Sequence, residues 1–360
     1  MIDWSASMQQ TYEYYIVNPE TWKDTKQLTT VKSCTINRDS DSETLGSASI
    51  AITESVGECY IRVYLVVIQN GTKERFPLGT YLVQTPKSSY NGKVRSVDMD
   101  AYTPLLELKE KQPPIGYFIP KESNVMDIAY RLTRENMRAP VVKNNNGTIS
   151  HYDFVADVND TWLSFLSDFI SNQLYDESTV TKFKYSLDEM GNVLFAPEQK
   201  VTSLQPVWTY NDDNSSILYP DFSMDHDLYG IPNVVEVVYS KATKPITVVI
   251  KNENENSPVS IANRGREIPY RVIDPDIVGN PTELHIKEYA EQLLDALSSV
   301  EYTITYTHGY CPVRVGDCVR FNYSRTGLKN VKAKVISQSI KCEPGCPVTE
   351  KAIYTTNLWR

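Results

Sequence analysis

The residues that decide the fold read Thr29-Thr30-Val31-Lys32-Ser33-Cys34-Thr35-Ile36-Asn37-Arg38-Asp39, then Leu45-Gly46-Ser47-Ala48-Ser49-Ile50-Ala51-Ile52, then Tyr60-Ile61-Arg62-Val63-Tyr64-Leu65-Val66-Val67. Polar and apolar residues alternate, and Gly, Asp and Asn separate the runs, which is typical of half-buried antiparallel strands. A similar pattern of alternating residues recurs near the C-terminus, in Tyr302-Thr303-Ile304-Thr305-Tyr306, Val313-Arg314-Val315-Gly316-Asp317-Cys318-Val319-Arg320-Phe321 and Val331-Lys332-Ala333-Lys334-Val335-Ile336-Ser337. Two such blocks, 28–102 and 300–358, favour an assembly scaffold with two β modules over a single catalytic barrel.

Length and charge limit the classes of protein that fit. A chain of 360 residues exceeds the size at which one core usually keeps growing, so two to four compact units are expected. The net charge of −9 is dispersed, which argues against nucleic-acid binding and against binding to a membrane surface. No run approaches the roughly 18 apolar residues of a membrane span. The first residues have no basic or apolar region of a secretory signal, so we expect synthesis and initial residence in the cytoplasm.

The predicted fold class is α+β, mainly β, with two tube-like antiparallel β-barrel or sandwich modules and a small α+β insert domain. The first module spans 1–110, where an Asn70-Gly71 pair suits a tight hairpin. The insert spans 115–215. The second module spans 216–360 and includes a solvated acidic loop at 252–257 and a helix at 281–300.

Three helices are predicted from apolar residues at a spacing of three and four. The first contains Val125–Leu132, with Ser123 or Asn124 as its N-cap. The second covers 161–174, with Asn159 or Asp160 as its N-cap. The third, at 281–300, is the clearest in the chain and leads into the last β block.

The order of these parts resembles the hub proteins at the tail tip or baseplate of phages and related contractile injection particles. The resemblance rests on an Arg38-Asp39 turn, on Val97-Asp98-Met99-Asp100-Ala101-Tyr102 leading into Thr103-Pro104-Leu105-Leu106, on Asn233-Val234-Val235-Glu236-Val237, on the long helix, and on Pro312-Val313-Arg314-Val315-Gly316-Asp317-Cys318-Val319. It covers nearly the whole chain. Each motif is weak by itself, so the ordered set carries the resemblance.

The resemblance implies a structural function. In such hubs each subunit carries two domains like a tail-tube monomer, so that a homotrimer forms a pseudo-sixfold ring. The ring connects a tail tube protein or distal tail ring to a central spike protein. The expected location is the host cytoplasm during assembly and then the virion tail or baseplate. Pairing of strand edges between subunits would also remove exposed edges, which are otherwise prone to aggregation. Some members carry a fused lysozyme or peptidase, but this sequence ends directly after the last predicted strand, so such an enzyme would be a separate protein.

The residues that could carry chemistry do not form a recognisable active site. The four histidines are far apart, and the one close acid and histidine group, Asp225-His226-Asp227, is interpreted as a solvated loop. There is no Gly-x-Ser-x-Gly motif, phosphate-binding loop, His-Glu-x-x-His motif or calcium loop. We therefore predict that the protein is not an enzyme and has no cofactor.

The cysteines leave three alternatives open. Cys311, Cys318, Cys342 and Cys346 fall in one terminal block, whereas Cys34 and Cys59 lie in the first. Free thiols are the preferred interpretation. The second is a disulfide formed after a particle leaves the cell, for example between Cys342 and Cys346 or across neighbouring strands. The third is a metal site formed by the four cysteines of the terminal block, with His308 as an extra ligand, although the spacing between Cys311 and Cys318 is unusual for zinc.

An alternative function belongs to another class: an extracellular carbohydrate-binding or glycan-hydrolysing multidomain β protein. In that case some of the tryptophans would be sugar-stacking platforms; they are Trp4, Trp22, Trp162, Trp208 and Trp359. They are scattered along the sequence, and Trp162 lies on the apolar face of a predicted helix. Core packing is therefore the preferred interpretation.

Overall fold

The alternating stretches form paired strands in a computed structural model of the protein. The structure describes residues 2–54, 56–90, 92–93, 95–176, 181–199, 201–214, 216–242, 244–277 and 281–359. They contain mostly strands and a few helices, and the largest sheet is predominantly antiparallel, which confirms the predicted α+β, mainly β class. Within these residues, no helix combines the length and the apolar character needed to cross a membrane.

The strands in chain order are β1 (Gln9–Val17), β2 (Asp24–Gln27), β3 (Val31–Asp39), β4 (Gly46–Ile52), β5 (Tyr60–Gln69), β6 (Thr72–Tyr90), β7 (Arg95–Tyr102), β8 (Phe118–Ile119), β9 (Phe154–Val155), β10 (Tyr175–Asp176), β11 (Thr181–Leu187), β12 (Val193–Pro197), β13 (Pro206–Asn211), β14 (Leu218–His226), β15 (Val234–Tyr239), β16 (Ile246–Lys251), β17 (Pro269–Ile273), β18 (Ser299–Gly309), β19 (Cys318–Tyr323), β20 (Leu328–Lys341) and β21 (Pro347–Asn357). The helices are α1 (Leu106–Lys109), α2 (Val125–Asn136), α3 (Trp162–Gln173), α4 (Ile261–Arg264) and α5 (Glu283–Leu297).

The described residues fall into two compact units. The first holds residues 2–222 and 306–351, and the second holds residues 223–305 and 352–359. The largest sheet has the strand order β14-β18-β21-β20-β3-β4-β7-β6-β5-β1-β2, and β19 pairs with β20 and, in parallel, with β13. The pairing of β3 with β20 therefore joins the early strands of the sequence to the late ones.

The core of the first unit follows from the alternation in the sequence. Along β4, the inward-facing side chains Ala48, Ile50 and Ile52 are buried, whereas the residues between them are more exposed. β5 differs because it is buried on both faces, as its continuous apolar run indicates. The Asn70-Gly71 pair joins β5 to β6 with both residues at positive φ, which confirms the predicted hairpin.

The segment between β7 and β13 has its own core, formed by α2 and α3 against β11 and β12. The Asn124 side chain accepts a hydrogen bond from Asp127 N at 2.9 Å, which confirms one of the two predicted N-caps of α2. The predicted N-cap of α3 was wrong. Thr161 caps it instead, with Ser164 completing a capping box. The backbone conformation decides between the three neighbouring residues Asn159, Asp160 and Thr161, because each is of a type that suits an N-cap.

The second unit contains the sheet β16-β15-β17, with α5 packed on it. α5 begins after its cap, Thr282, and is slightly shorter than predicted. The loop at 252–257 is only partly solvated, since Asn252 and Ser257 at its two ends are buried and share a hydrogen bond of 2.9 Å.

One predicted strand was wrong in its first half. Val313-Arg314-Val315-Gly316-Asp317 alternates like a strand but forms a turn, and β19 begins only at Cys318. Asp317 closes the turn, because its side chain accepts from Arg314 N at 2.9 Å and its N–H donates to Arg314 O at 3.1 Å. Gly316 has φ of 97°, which an L side chain rarely adopts.

Candidate functional site

A buried group of polar side chains lies between strands of the first unit. We call it the His308 cluster, and its members are Tyr210 on β13, Tyr306 and His308 on β18, Gln338 on β20 and Glu350 on β21. Each of the five is at most 3% exposed. Tyr306 and His308 are two residues apart on one strand, so both point to the same face of the sheet.

Glu350 is the acceptor at the centre of the His308 cluster. Gln338 Nε2 donates to Glu350 Oε1 at 2.5 Å, and Tyr306 OH donates to Glu350 Oε2. His308 Nε2 lies 3.3 Å from Glu350 Oε1 and 3.1 Å from Tyr210 OH, while His308 Nδ1 lies 2.6 Å from the carbonyl oxygen of Gly309. Because both ring nitrogens face acceptors, the geometry favours the doubly protonated, charged histidine.

The electrostatics of the cluster support an ion pair. Burial by itself would lower the pKa of His308, but the Glu350 carboxylate and the neighbouring Cys311 together outweigh burial and raise this pKa to about 10. Burial by itself would raise the pKa of Glu350, but His308 and the hydrogen bonds from Tyr306 and Gln338 hold it below its usual value. His308 and Glu350 are therefore both charged at neutral pH.

This ion pair predicts a loss of stability at alkaline pH. The pKa of His308 is about 10 in the folded chain and about 6.5 when unfolded, so its contribution is complete below pH 6.5 and disappears as the pH rises toward 10. Glu350 has a lowered folded pKa, so its contribution is present above its unfolded pKa and disappears as the pH falls through the lowered value. We expect the unfolding free energy to fall between pH 6.5 and 10, as measured by urea titration.

A His308→Gln variant provides the control for the alkaline titration, because other groups also titrate there. Its stability should fall less steeply than that of the wild type over the same pH interval. Equal slopes for the two proteins would contradict the ion pair.

Cys311 adds a thiol to the His308 cluster, with its Sγ 3.8 Å from His308 Nδ1. A cysteine beside a histidine is also the arrangement of a nucleophile and its base. Here Cys311 is 2% exposed and His308 is 0% exposed, so a substrate has no route to the thiol in this conformation. The arrangement is that of a satisfied polar core.

The four cysteines of the predicted metal site have different neighbours. Cys311 contacts His308, and Cys318 is buried on β19 beside Lys332 and Arg320. Cys342 and Cys346 instead lie near Tyr12, Tyr14 and Cys34. Across the residues that the structure describes, no group of three or more His, Cys, Asp or Glu is arranged to hold a metal ion. All six cysteines are free thiols in this structure.

A second buried charge, Arg62 on β5, binds a turn of the α+β segment. Its Nη2 donates to the carbonyl oxygen of Met190 at 2.9 Å, its Nη1 to Asp24 at 2.8 Å and its Nε to Thr80 at 2.8 Å. Trp22 Nε1 and Thr80 Oγ1 donate to the same Met190 oxygen, at 2.7 and 3.0 Å. We call this set the Met190 dock. An arginine inside the apolar run of β5 was the available sequence signal for it.

The Asp225-His226-Asp227 group, predicted as a solvated loop, is partly a strand. His226 is the last residue of β14, and its ring stacks on Tyr302 with the centroids 4.5 Å apart. Together with Ile231, Ser299, Val300, Glu301 and Thr303, the three residues line an open groove of about 530 Å³ in the second unit. The Ser299 hydroxyl in this groove donates to the backbone carbonyl of Asp295 at 3.2 Å, so it is engaged there and not with the stacked His226 ring.

The tryptophans are used mainly for packing. Trp4 packs edge-on against Phe76 and Tyr310, with the centroids 5.0 and 5.2 Å apart, and Trp162 is buried in the core of the α+β segment. Trp22 belongs to the Met190 dock, and Trp359 packs against the core of the second unit. Trp208 on β13 is half-buried. This distribution does not favour a sugar-binding surface.

The largest sheet ends in strands with a free side. Among the described strands, β2 and β14 terminate the main order, and β13 pairs with β19 alone. β14 carries Pro220 and Asp221, which are typical of an edge protected against indiscriminate pairing. On β13, Val207 is 54% exposed, an apolar side chain on an edge.

Comparison with known proteins shows the fold. The sequence matches no protein-family model and no curated protein sequence. Among solved structures, the tail protein from Neisseria meningitidis MC58 is similar over 97% of this chain and 98% of its own, with 13% identity and a TM-score of 0.57. The 43 kDa tail protein of prophage MuSo2 from Shewanella oneidensis is similar over 96% and 98%, with 11% identity and a TM-score of 0.58.

A chain of the Francisella PdpA–VgrG complex is similar over 96% of this chain and 52% of its own, with 11% identity and a TM-score of 0.52. This chain therefore spans about half the length of that one. The similarity covers nearly all of this chain, which confirms the predicted resemblance to tail proteins. Because the sequence identity is low, the confirmation applies to the fold.

Proposed function

We propose that this chain is the structural hub protein of a phage tail or baseplate, and that it forms a trimeric pseudo-sixfold ring connecting the tail tube to the central spike. The observation that carries the proposal is the likeness to two tail proteins over nearly the full length of both chains. A likeness of that extent involves the whole arrangement of strands and inserted segments, rather than one common motif.

The strand pairing supports two tube-like modules in one chain. In this proposal the first module is 1–110, the insert is 115–215 and the second module is 216–360. β1 to β7 form one run of neighbouring strands, and β18 to β21 lie beyond the β3–β20 pair together with β14. β13, at the end of the insert, pairs with β19 and so adds a strand to the sheet of the second module. Three such chains would present six similar modules to a sixfold tube.

The free sheet edges supply a physical reason to assemble. Unpaired N–H and C=O groups on an edge attract another strand, and closure into a symmetric ring satisfies them without open-ended aggregation. The proposed partners are further copies of the chain, a tail tube protein or distal tail ring, and a central spike protein. The proposed location is the host cytoplasm during assembly and then the virion.

We propose that the protein acts by shape and binding rather than by catalysis. The most chemically suggestive residues, His308 and Cys311, are enclosed and serve the core. In the acidic groove of the second unit, the Ser299 hydroxyl donates to the backbone carbonyl of Asp295, and His226 stacks on Tyr302. Neither feature favours the glycan-hydrolysing alternative.

The mass in solution tests this proposal. Analytical ultracentrifugation of the full chain at micromolar concentration should give a species of three times 41.0 kDa, and electron micrographs should show rings with six similar lobes. Val207→Lys should weaken the trimer at least tenfold without lowering the melting temperature, because a lysine on an edge strand opposes pairing with another chain.

Val158→Lys is the matched control, since Val158 is 72% exposed and lies outside every named strand. It should leave the trimer unchanged. A wild-type monomer that persists at 100-fold higher concentration and binds or hydrolyses glycans would overturn the hub proposal.

A further inference from the structure

Two cysteines that are distant in the sequence face each other across the junction of β3 and β20. The register pairs Lys341 with Thr35, so the next residue, Cys342, lies opposite Cys34. The N–H of Cys342 donates to the carbonyl oxygen of Cys34 at 2.9 Å, which extends the ladder by one step. The two backbones are thus held in direct apposition.

The two side chains also lie on the same face of the sheet. Ile36 and Ile340 form a register pair two residues away, and both are fully buried in the core to which Cys34 and Cys342 contribute. Directly opposite residues of antiparallel strands have Cα atoms about 4.5–5.5 Å apart. A disulfide requires about 4.4–6.8 Å, so the backbone already satisfies this condition.

The two thiols are also neighbours. The Cys34 thiol and burial together raise the pKa of the Cys342 thiol well above its ordinary value, and Tyr14 lies against both sulfurs. Cys342 is partly exposed, whereas Cys34 is 3% exposed. An oxidant in solution therefore reaches Cys342 first.

We propose that Cys34 and Cys342 are a disulfide-forming site that closes when the protein meets an oxidising disulfide compound. The Cys342 thiolate attacks one sulfur of that compound, forming a mixed disulfide and releasing one thiolate. The Cys34 thiolate then attacks the Cys342 sulfur and releases the second. The two cysteines lose two protons and two electrons, and the compound is reduced to two thiols.

The environment of the pair sets when the bond forms. A thiol with a raised pKa has little thiolate at neutral pH, so its attack is slow and the pair stays reduced in a reducing cell interior. Oxidation accelerates as the pH rises. Once formed, the bond ties β3 to the end of β20, both within the first unit.

Cys346 is the alternative disulfide partner of Cys342. It lies four residues further on, is 0% exposed and contacts the Tyr12 hydroxyl, which also donates to the backbone of Glu343 at 2.8 Å. Its backbone has φ of 41° in the turn that follows Cys342. It is not part of the β3–β20 ladder, so the preorganised pair is Cys34 with Cys342.

Peptide mapping tests the site directly. The native full-length protein is incubated with oxidised glutathione at pH 8.5, its remaining thiols are alkylated, and it is digested with trypsin without reduction. Cleavage after Lys32, Arg38, Lys341 and Lys351 places Cys34 in Ser33–Arg38 and both Cys342 and Cys346 in Cys342–Lys351. We expect these two peptides to be joined, and to separate after dithiothreitol.

Cysteine-to-serine variants identify which two cysteines form the disulfide. Cys346→Ser and the half-buried control Cys59→Ser should retain the joined peptides, whereas Cys34→Ser and Cys342→Ser should lose them. Because two variants remove the same bond, a folding defect in one leaves the other informative. A peptide Cys342–Lys351 that carries its own internal disulfide, or two separate alkylated peptides from the wild type, would overturn the proposal.

Discussion

Glu350→Ala is expected to destabilise the first unit by about 3–5 kcal/mol, which is the usual loss when one member of a buried ion pair is removed. The truncation leaves the charge of His308 without its partner. It also leaves the hydroxyl of Tyr306 and one amide hydrogen of Gln338 without their acceptor. Urea unfolding, followed by a spectroscopic signal from the first unit, measures the change.

The matched control is Glu343→Ala, because Glu343 is exposed and close to Glu350 in the sequence. Its effect should stay within about 0.5 kcal/mol. A double variant, His308→Gln with Glu350→Gln, removes both charges and should lose less stability than Glu350→Ala. A loss below about 1 kcal/mol for Glu350→Ala would show that the pair is not charged in the folded chain.

Arg62→Ala is expected to destabilise the first unit by about 3–5 kcal/mol, because it removes a buried charge and orphans several acceptors at once. The carboxylate of Asp24 and the carbonyl of Met190 lose a charged donor. Arg62→Lys should recover only part of the loss, since an ammonium group cannot reproduce the planar fork of three bonded nitrogens. Thermal unfolding of each variant gives the comparison.

Two further substitutions make the Arg62 experiment specific to the Met190 dock. Arg131→Ala removes a half-exposed arginine of an i,i+4 pair and should change stability by about 0.5 kcal/mol or less. Gly191→Ala tests the Met190 dock by changing the turn that carries Met190. Gly191 has φ of 78°, and a Cβ there would lie 2.8 Å from Cβ of Thr80, so a loss of about 2–4 kcal/mol is expected.

Gly147→Ala is the control for Gly191→Ala, because a Cβ at Gly147 meets nothing within 4 Å. It should be nearly neutral. If Gly191→Ala were equally neutral, the turn at Met190 would not be docked on β5 and β6 as the structure has it.

The sequence predicted the parts of the fold that depend on neighbouring residues. Alternation identified β3 and β4, a short apolar run identified β5, and helical spacing identified α2, α3 and α5, because these patterns depend on residues within a few positions of each other. The turn at Gly316 was missed, since Val313 and Val315 alternate like a strand and only the positive φ of the glycine distinguishes them.

The candidate site was harder to predict because its contacts are distant in the sequence. His308 and Glu350 are 42 residues apart, and Arg62 and Met190 are 128 apart. His308 was considered as a metal ligand because histidine near cysteines has that meaning in many sequences. The structure instead gives it a carboxylate partner, which no local spacing indicates.

The pairing of β3 with β20 has a consequence for synthesis. The Arg38 guanidinium donates to Gln338 Oε1 at 3.0 Å, across a separation of 300 residues. At about 5–20 residues per second, a ribosome needs roughly 15–60 s to deliver β20 after β3 has emerged. During that interval β3 lacks its neighbour β20. The nascent chain therefore exposes an unpaired strand edge, which is prone to aggregation. Chaperones that bind exposed strands should therefore contribute most to the folding yield while the middle of this chain is being synthesised.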